Sequence, residues 1–140
     1  MIKIEISKTL QSKIRKGYPW VFRYQIQNMI PEERQEHLGV VYDHKNRFLA
    51  VGLWDPCSDL CFRVLNLGAP KEISSDFFRE QLQSAVKIRE DLKSQGTTGY
   101  RVINGENDRF PGLVLDRYED TLVLKLYTAS WFPFLDELCE

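Results

Sequence analysis

Three groups of side chains in this 140-residue sequence have the types and spacing to do chemistry. Glu106, Asp108 and Asp116 stand close together in the stretch Tyr100 to Tyr127, Y-R-V-I-N-G-E-N-D-R-F-P-G-L-V-L-D-R-Y-E-D-T-L-V-L-K-L-Y. Neighbouring carboxylates can divide general-acid and general-base roles when their environments push their proton affinities apart. Cys57 and Cys61, with His37 and His44, could be drawn as a zinc site, although neither spacing is a common one. Lys13, Arg15 and Lys16 lead into Gly17, and cations beside a glycine let backbone and side chains together approach phosphates.

Each group also has a plain structural explanation. Acidic side chains in a tight loop accept backbone N–H bonds or pair with a neighbour, here Arg101 or Arg117, and this reading is preferred for Glu106, Asp108 and Asp116. The cysteines read as small apolar strand residues. His37 lies beside the polar connector 31–36 and His44 in a turn, so both are expected to be exposed and solvated. The cations of the last helical turn, Arg15 and Lys16, also favour the negative end of the helix dipole.

Net charge sharpens the third case. Residues 1–30 hold Lys3, Lys8, Lys13, Arg15, Lys16 and Arg23 against Glu5 alone, a balance of +5, whereas the whole chain carries -1. A basic end on an acidic body fits a localised polyanion contact. Three cysteines are an odd number, and with no secretion signal they argue for reduced thiols over a disulfide framework. No apolar run is long enough to span a membrane, so the expected compartment is the cytoplasm and no membrane partner is expected.

The elements that must position these residues follow from periodicity. Ile2, Ile4 and Ile6 alternate with polar residues as in a half-buried strand. Ser7 suits a helix N-cap, Leu10 and Ile14 form an i, i+4 apolar pair, and Gly17 ends the helix. Trp20, Phe22, Tyr24 and Ile26 fall on one face and are expected to be core. A hairpin is expected around Asp43-His44-Lys45-Asn46, with a further strand from Leu60 to Leu65. One strand, a short basic helix and four or five strands point to a small closed or nearly closed β-barrel at residues 1–68. Gly68-Ala69-Pro70 marks a boundary, and residues 69–97 read as a linker with a helix from Ser74 or Ser75 to about Ser94. Residues 98–140 read as strand, ordered loop and two further strands, with Thr121 to Tyr127 burying one face. Ser130 is expected to cap a last helix, with Pro133 in its first turn. The fold class is therefore mainly β with α+β.

Two segments resemble one family. R-V-I-N-G-E-N-D-R-F-P-G-L-V-L-D-R-Y is similar to a segment reading close to R-x-x-x-x-E-x-D-x-x-P-G-L-x-x-D-R-Y in the S-adenosylmethionine-dependent large-subunit (23S) rRNA cytosine-C5 methyltransferases. Arg101, Glu106, Asp108, Pro111, Gly112, Leu113, Asp116, Arg117 and Tyr118 occupy its fixed places, nine types over 18 positions. K-I-R-K-G-Y-P-W-V-F resembles the PUA domain, the RNA-binding module that begins the same family, and Arg63 also fits that pattern. The resemblance implies rRNA as partner, with an RNA surface at Lys13, Arg15, Lys16, Gly17 and Tyr18 to which Arg23 and Arg63 are added. It implies that the loop carrying Arg101, Glu106, Asp108, Pro111, Gly112, Asp116 and Arg117 docks against a catalytic domain or positions RNA. It further implies that residues 98–140 are the first half of a strand-strand-helix-strand-strand domain.

The family's catalytic parts have no counterpart here. No Gly-rich turn follows a strand and opens a helix, so S-adenosylmethionine is expected in the full-length protein and no cofactor in these residues. Cys57 and Cys61 do not match the family's nucleophile motif, and no catalytic or metal-binding residue is assigned. The alternatives are a stand-alone PUA-type RNA-binding or ribosome-associated adaptor, and a protein-interaction module using an exposed apolar edge. Such an edge could also let the chain self-associate. On the enzyme reading the frame is expected to continue past Glu140 into a strand, a Gly-rich turn and a Pro-Cys type motif. Sequencing the source gene checks this, and a stop codon there would favour the adaptor.

Overall fold

Alternation of Ile2, Ile4 and Ile6 with Lys3 and Glu5 yields strand β1 (Ile2–Ile4), with all three isoleucines buried. The computed structural model describes residues 1–31 and 36–139, so most of the expected polar connector, 32–35, lies outside the described residues. Contacts divide the chain into two units, Met1–Lys71 and Glu72–Glu140.

In the first unit β1 is followed by helix α1 (Lys8–Arg15), β2 (Trp20–Phe22), β3 (Leu38–Tyr42), β4 (Phe48–Trp54) and β5 (Leu60–Leu67). They form one sheet in the order β1-β3-β4-β5-β2, with β1 parallel to β3 and the other pairs antiparallel. The two edges are joined beyond the ends of β1 and β2. Ile6 bridges Ile26, and the Gln27 N–H donates to the Glu5 carbonyl at 2.8 Å. Asn28 completes the seam, accepting from the Glu5 N–H at 2.8 Å and donating from Nδ2 to the Lys3 carbonyl at 2.9 Å. The sheet therefore curls into a nearly closed barrel. Gly52 in β4 permits the tight winding, because a Cβ there would lie 2.0 Å from the Arg63 carbonyl oxygen. The core gathers Ile2, Ile4, Leu10, Ile14, Val21, Val41, Trp54 and Phe62. Each such side chain contributes about 1.5–3 kcal/mol of apolar burial.

One expectation fails in β2. The strand stops at Phe22 and turns through a 3₁₀ segment, Arg23–Gln25, leaving Val21 fully buried and Tyr24 exposed. The turn is fixed by the Arg23 N–H donating to the Asp59 carbonyl and by Gln25 Oε1 accepting from the Phe22 N–H. Trp20, Phe22 and Ile26 are half-buried rather than core.

The second unit begins with α2 (Ser75–Ile88), capped by Ser74 Oγ, then α3 (Glu90–Ser94), β6 (Gly99–Asn104), β7 (Leu113–Tyr118), β8 (Thr121–Leu126) and α4 (Leu135–Cys139). The sheet runs β6-β7-β8, antiparallel throughout. The single helix expected to reach Ser94 is broken at Arg89, where φ is -107° and ψ is 9°. There the guanidinium donates back to the Ala85 carbonyl and reaches across to Asp108. The last helix also differs: Thr128, not Ser130, caps a 3₁₀ turn (Ala129–Phe134) that holds Pro133 and precedes α4. Phe77, Phe78, Phe110 and Trp131 form the core, with Phe78 and Trp131 ring centroids 5.6 Å apart.

The amphipathic pattern of β8 does not give a buried face. Leu122, Val123 and Leu124 are 61%, 47% and 38% exposed on β8, which lies at the edge of the sheet. Breaking the Arg89–Asp108 pair is the sharpest test of this unit, since its side chains are 16% and 4% exposed. Arg89→Met should cost about 3–5 kcal/mol by stranding a buried carboxylate. Adding Asp108→Asn to that variant should recover part of the loss, measured by urea unfolding.

Candidate nucleic-acid interface

Helix α1 buries Leu10, Gln11 and Ile14 and turns its cations outward. Gln11 is satisfied within: its Nε2 donates to the Ile6 carbonyl at 3.0 Å and its Oε1 accepts from the His44 N–H at 3.2 Å. The helix closes in a Schellman turn. The Gly17 N–H donates to Ile14 at 2.9 Å and the Tyr18 N–H to Lys13 at 3.1 Å. Gly17 adopts φ of 98° with open space where a side chain would stand, so the backbone at the helix end is accessible. Lys13, in the last turn, and Lys16, at the C-cap, are exposed and enter no ion pair among the described residues. Tyr18, half-buried, packs edge-on to Trp20 at 6.1 Å.

The arginines expected beside them are held differently. Arg23 is exposed and donates from Nη2 to the carbonyls of Pro56 and Ser58, which ties it to the β4–β5 turn. Arg63 is buried in β5, donating to the Leu60 carbonyl at 2.8 Å with Asp55 Oδ2 4.0 Å away. Its guanidinium braces the β4–β5 turn and does not reach the surface. Arg15 reaches Asp43 Oδ2 at 2.8 Å.

That aspartate organises the β3–β4 hairpin. Its Oδ1 accepts from the backbone N–H of Lys45 at 2.8 Å and of Arg47 at 3.0 Å, while its Oδ2 accepts from Arg47 Nε at 2.9 Å. These bonds, with the Arg47 backbone N–H foremost, hold the Asp43 carboxyl far below its ordinary 3.8. Asp43, Lys45 and Arg47 are absent from the sequence-derived set. The turn residues Asp43 to Asn46 are a local signal, but the link to Arg15 spans 28 positions and has no local signature.

In the second unit the acidic loop is a brace. Asp108 receives both Arg89 Nη atoms at 2.7 and 3.1 Å and the Asn104 N–H at 2.6 Å. Its partner is therefore neither Arg101 nor Arg117. Pro111 is buried and its carbonyl accepts from Trp131 Nε1 at 2.8 Å. Gly112, with φ of 70°, offers its carbonyl to the Tyr127 N–H. Arg101 and Asp116 face each other across β6 and β7 in a two-bond pair of 2.8 and 3.2 Å, which lowers the Asp116 carboxyl from its ordinary range. Arg117 Nε donates to the Glu119 carbonyl, and Glu106 is half-buried. Asp108 and Asp116 go to separate partners, Arg89 and Arg101. A cavity of about 170 Å³ in this unit is lined by Phe78, Leu82, Ile103, Phe110, Leu113 and Leu124, with none of these three acids.

Among the described residues no group of three or more His, Cys, Asp or Glu is placed to hold a metal ion, and no helix is long and apolar enough to cross a membrane. Cys61 is buried, which raises its thiol pKa, while Cys57, His37 and His44 are exposed. The residues do not fit an S-adenosylmethionine cradle. Of the described strand-to-helix connections, β1 to α1 and β8 to α4 contain no glycine and β5 to α2 contains only Gly68.

Residues 4–67 match the PUA-like domain family. The chain is 43% identical over 144 residues to the ribosomal RNA large subunit methyltransferase of Deinococcus radiodurans, covering 99% of this chain and 35% of the relative. It is 36% identical to the ribosomal RNA large subunit methyltransferase I of Shewanella denitrificans, covering 99% and 36%. The chain thus spans about a third of the length of the curated relatives it matches. A solved Streptococcus mutans structure, provisionally described as a SAM-dependent methyltransferase, superposes with a TM-score of 0.84 at 19% identity, covering 99% of this chain and 36% of that one. A second, a provisionally assigned methyltransferase complexed with SAH, gives 0.84 at 18% over the same shares. At these identities the likeness establishes the fold. Residues 4–67 form a PUA-like domain, and along nearly its whole length the chain is similar to large-subunit ribosomal RNA methyltransferases, of which it spans about a third.

Proposed function

We propose that this chain is the RNA-binding region of an S-adenosylmethionine-dependent rRNA (cytosine-C5) methyltransferase, positioning rRNA for a catalytic domain outside these residues. The observation that carries the reading is the end of α1, where Lys13 and Lys16 precede an open left-handed glycine and have no anionic partner among the described residues. Cations left unpaired on a domain whose relatives are ribosomal RNA methyltransferases are suited to phosphodiesters. Residues 98–140 are read as part of the central domain, its Arg101–Asp116 surface and the half-buried Glu106, Gly112 and Arg117 facing a catalytic domain or RNA. Asp108 and Pro111 shape that surface from inside. On this reading the chain alone binds RNA and transfers no methyl group, and it works in the cytoplasm.

Affinity for a fluorescein-labelled oligouridylate should then fall steeply with salt. Lys13→Gln/Lys16→Gln should reduce the slope of log K against log[salt] by about 0.7–0.9 per lost phosphate contact. Fluorescence anisotropy across a salt series checks this, and an unchanged slope would place RNA on another face.

A further inference from the structure

The β3–β4 hairpin carries a second cationic feature, built on a carboxylate that is itself inaccessible. Arg15 Nη2 and Arg47 Nη2 each lie 2.8 Å from the same Asp43 Oδ2, so the two atoms are separated by at most twice 2.8 Å. Asp43's side chain is 2% exposed, whereas those of Arg15 and Arg47 are 42% and 66% exposed. One carboxylate thus holds two guanidinium groups side by side at the surface, with a net charge of +1.

Their hydrogen-bonding capacity is mostly unspent. A guanidinium carries five N–H donors. Arg47 uses Nε and Nη2 on Asp43 and Arg15 uses Nη2, and neither has another partner among the described residues. The remaining donors of two adjacent planar forks suit the oxygens of a phosphodiester, which guanidinium groups bind in bidentate fashion. The arrangement is also rigid before any ligand arrives. The hairpin tip is fixed by the Lys45 and Arg47 backbone N–H bonds to Asp43 Oδ1, by the Asn46 N–H to the Asp43 carbonyl at 2.8 Å, and by Asn46 at φ of 55°. Ordering long side chains on binding costs free energy, and preorganisation reduces that cost. Exposed Lys45 crowns the same tip. The open groove that Asp43 and His44 line also carries Lys8 and the Lys3–Glu5 pair, 3.7 Å apart.

We infer that Arg15 and Arg47, aligned by the buried Asp43, form a clamp for an RNA phosphodiester, so that the RNA path runs from the end of α1 onto the β3–β4 hairpin. Arg47 is a binding residue and Asp43 a positioning residue. The inference rests on the RNA-binding reading above, and the two can fail separately. Arg47→Gln, Arg47→Lys and Asp43→Asn are compared with the wild-type chain by anisotropy on labelled oligouridylate, with thermal unfolding recorded in parallel. Arg47→Gln should lower the salt slope by about 0.7–0.9, and Arg47→Lys should restore the slope but not the affinity, because an ammonium lacks the planar fork. Asp43→Asn should weaken binding although it adds positive charge, because the forks lose their alignment. An unchanged slope in Arg47→Gln, while Lys13→Gln/Lys16→Gln flattens it, would remove the clamp and leave the RNA-binding reading. Tighter binding by folded Asp43→Asn would overturn the positioning role. Absence of wild-type binding would overturn both.

Discussion

A carboxylate taken out of water must be surrounded by donors or it will not stay charged, and each unit of this protein is arranged around one such group. In the first unit Asp43 accepts two backbone N–H groups and two guanidinium groups, which sets the hairpin tip and ties it to α1. In the second, Asp108 takes Arg89 and the Asn104 N–H, which sets the loop between β6 and β7 and interrupts the helix at Arg89. Apolar burial supplies most of the folding free energy, but it is non-directional. The two aspartates supply direction, because a hydrogen bond to a buried charge is costly to misplace.

The same physics separates a structural acid from a catalytic one. Glu106, Asp108 and Asp116 are close in sequence, as a general-acid and general-base pair could be. Folded, Asp108 turns inward to Arg89 and Asp116 turns across the strands to Arg101, so no shared proton site exists between them. The basic residues divide in the same way. Arg63 is internal, Arg23 is bound to carbonyls, and Lys13 and Lys16 remain with solvent as their partner. Net charge over a segment therefore overstates the cations that a polyanion could meet.

The sequence by itself determined the elements that rest on neighbouring residues. Period-two isoleucines gave β1, Ser7 and Gly17 bounded α1, and the Asp43 to Asn46 turn gave the β3–β4 hairpin, because all of these depend on residues within a few positions of each other. Tertiary structure alone decided the rest. Tyr24 left the core because Arg23 found the carbonyl of Asp59, and the long helix broke because Arg89 found Asp108, 19 positions away. The apolar β8 stayed exposed because an alternating pattern records a preference for burial but not whether a neighbour is present to provide it. Arg15 and Arg47 came together on one oxygen for the same reason: charge and hydrogen bonding act through space, and the chain separation of their partners is invisible to any local pattern.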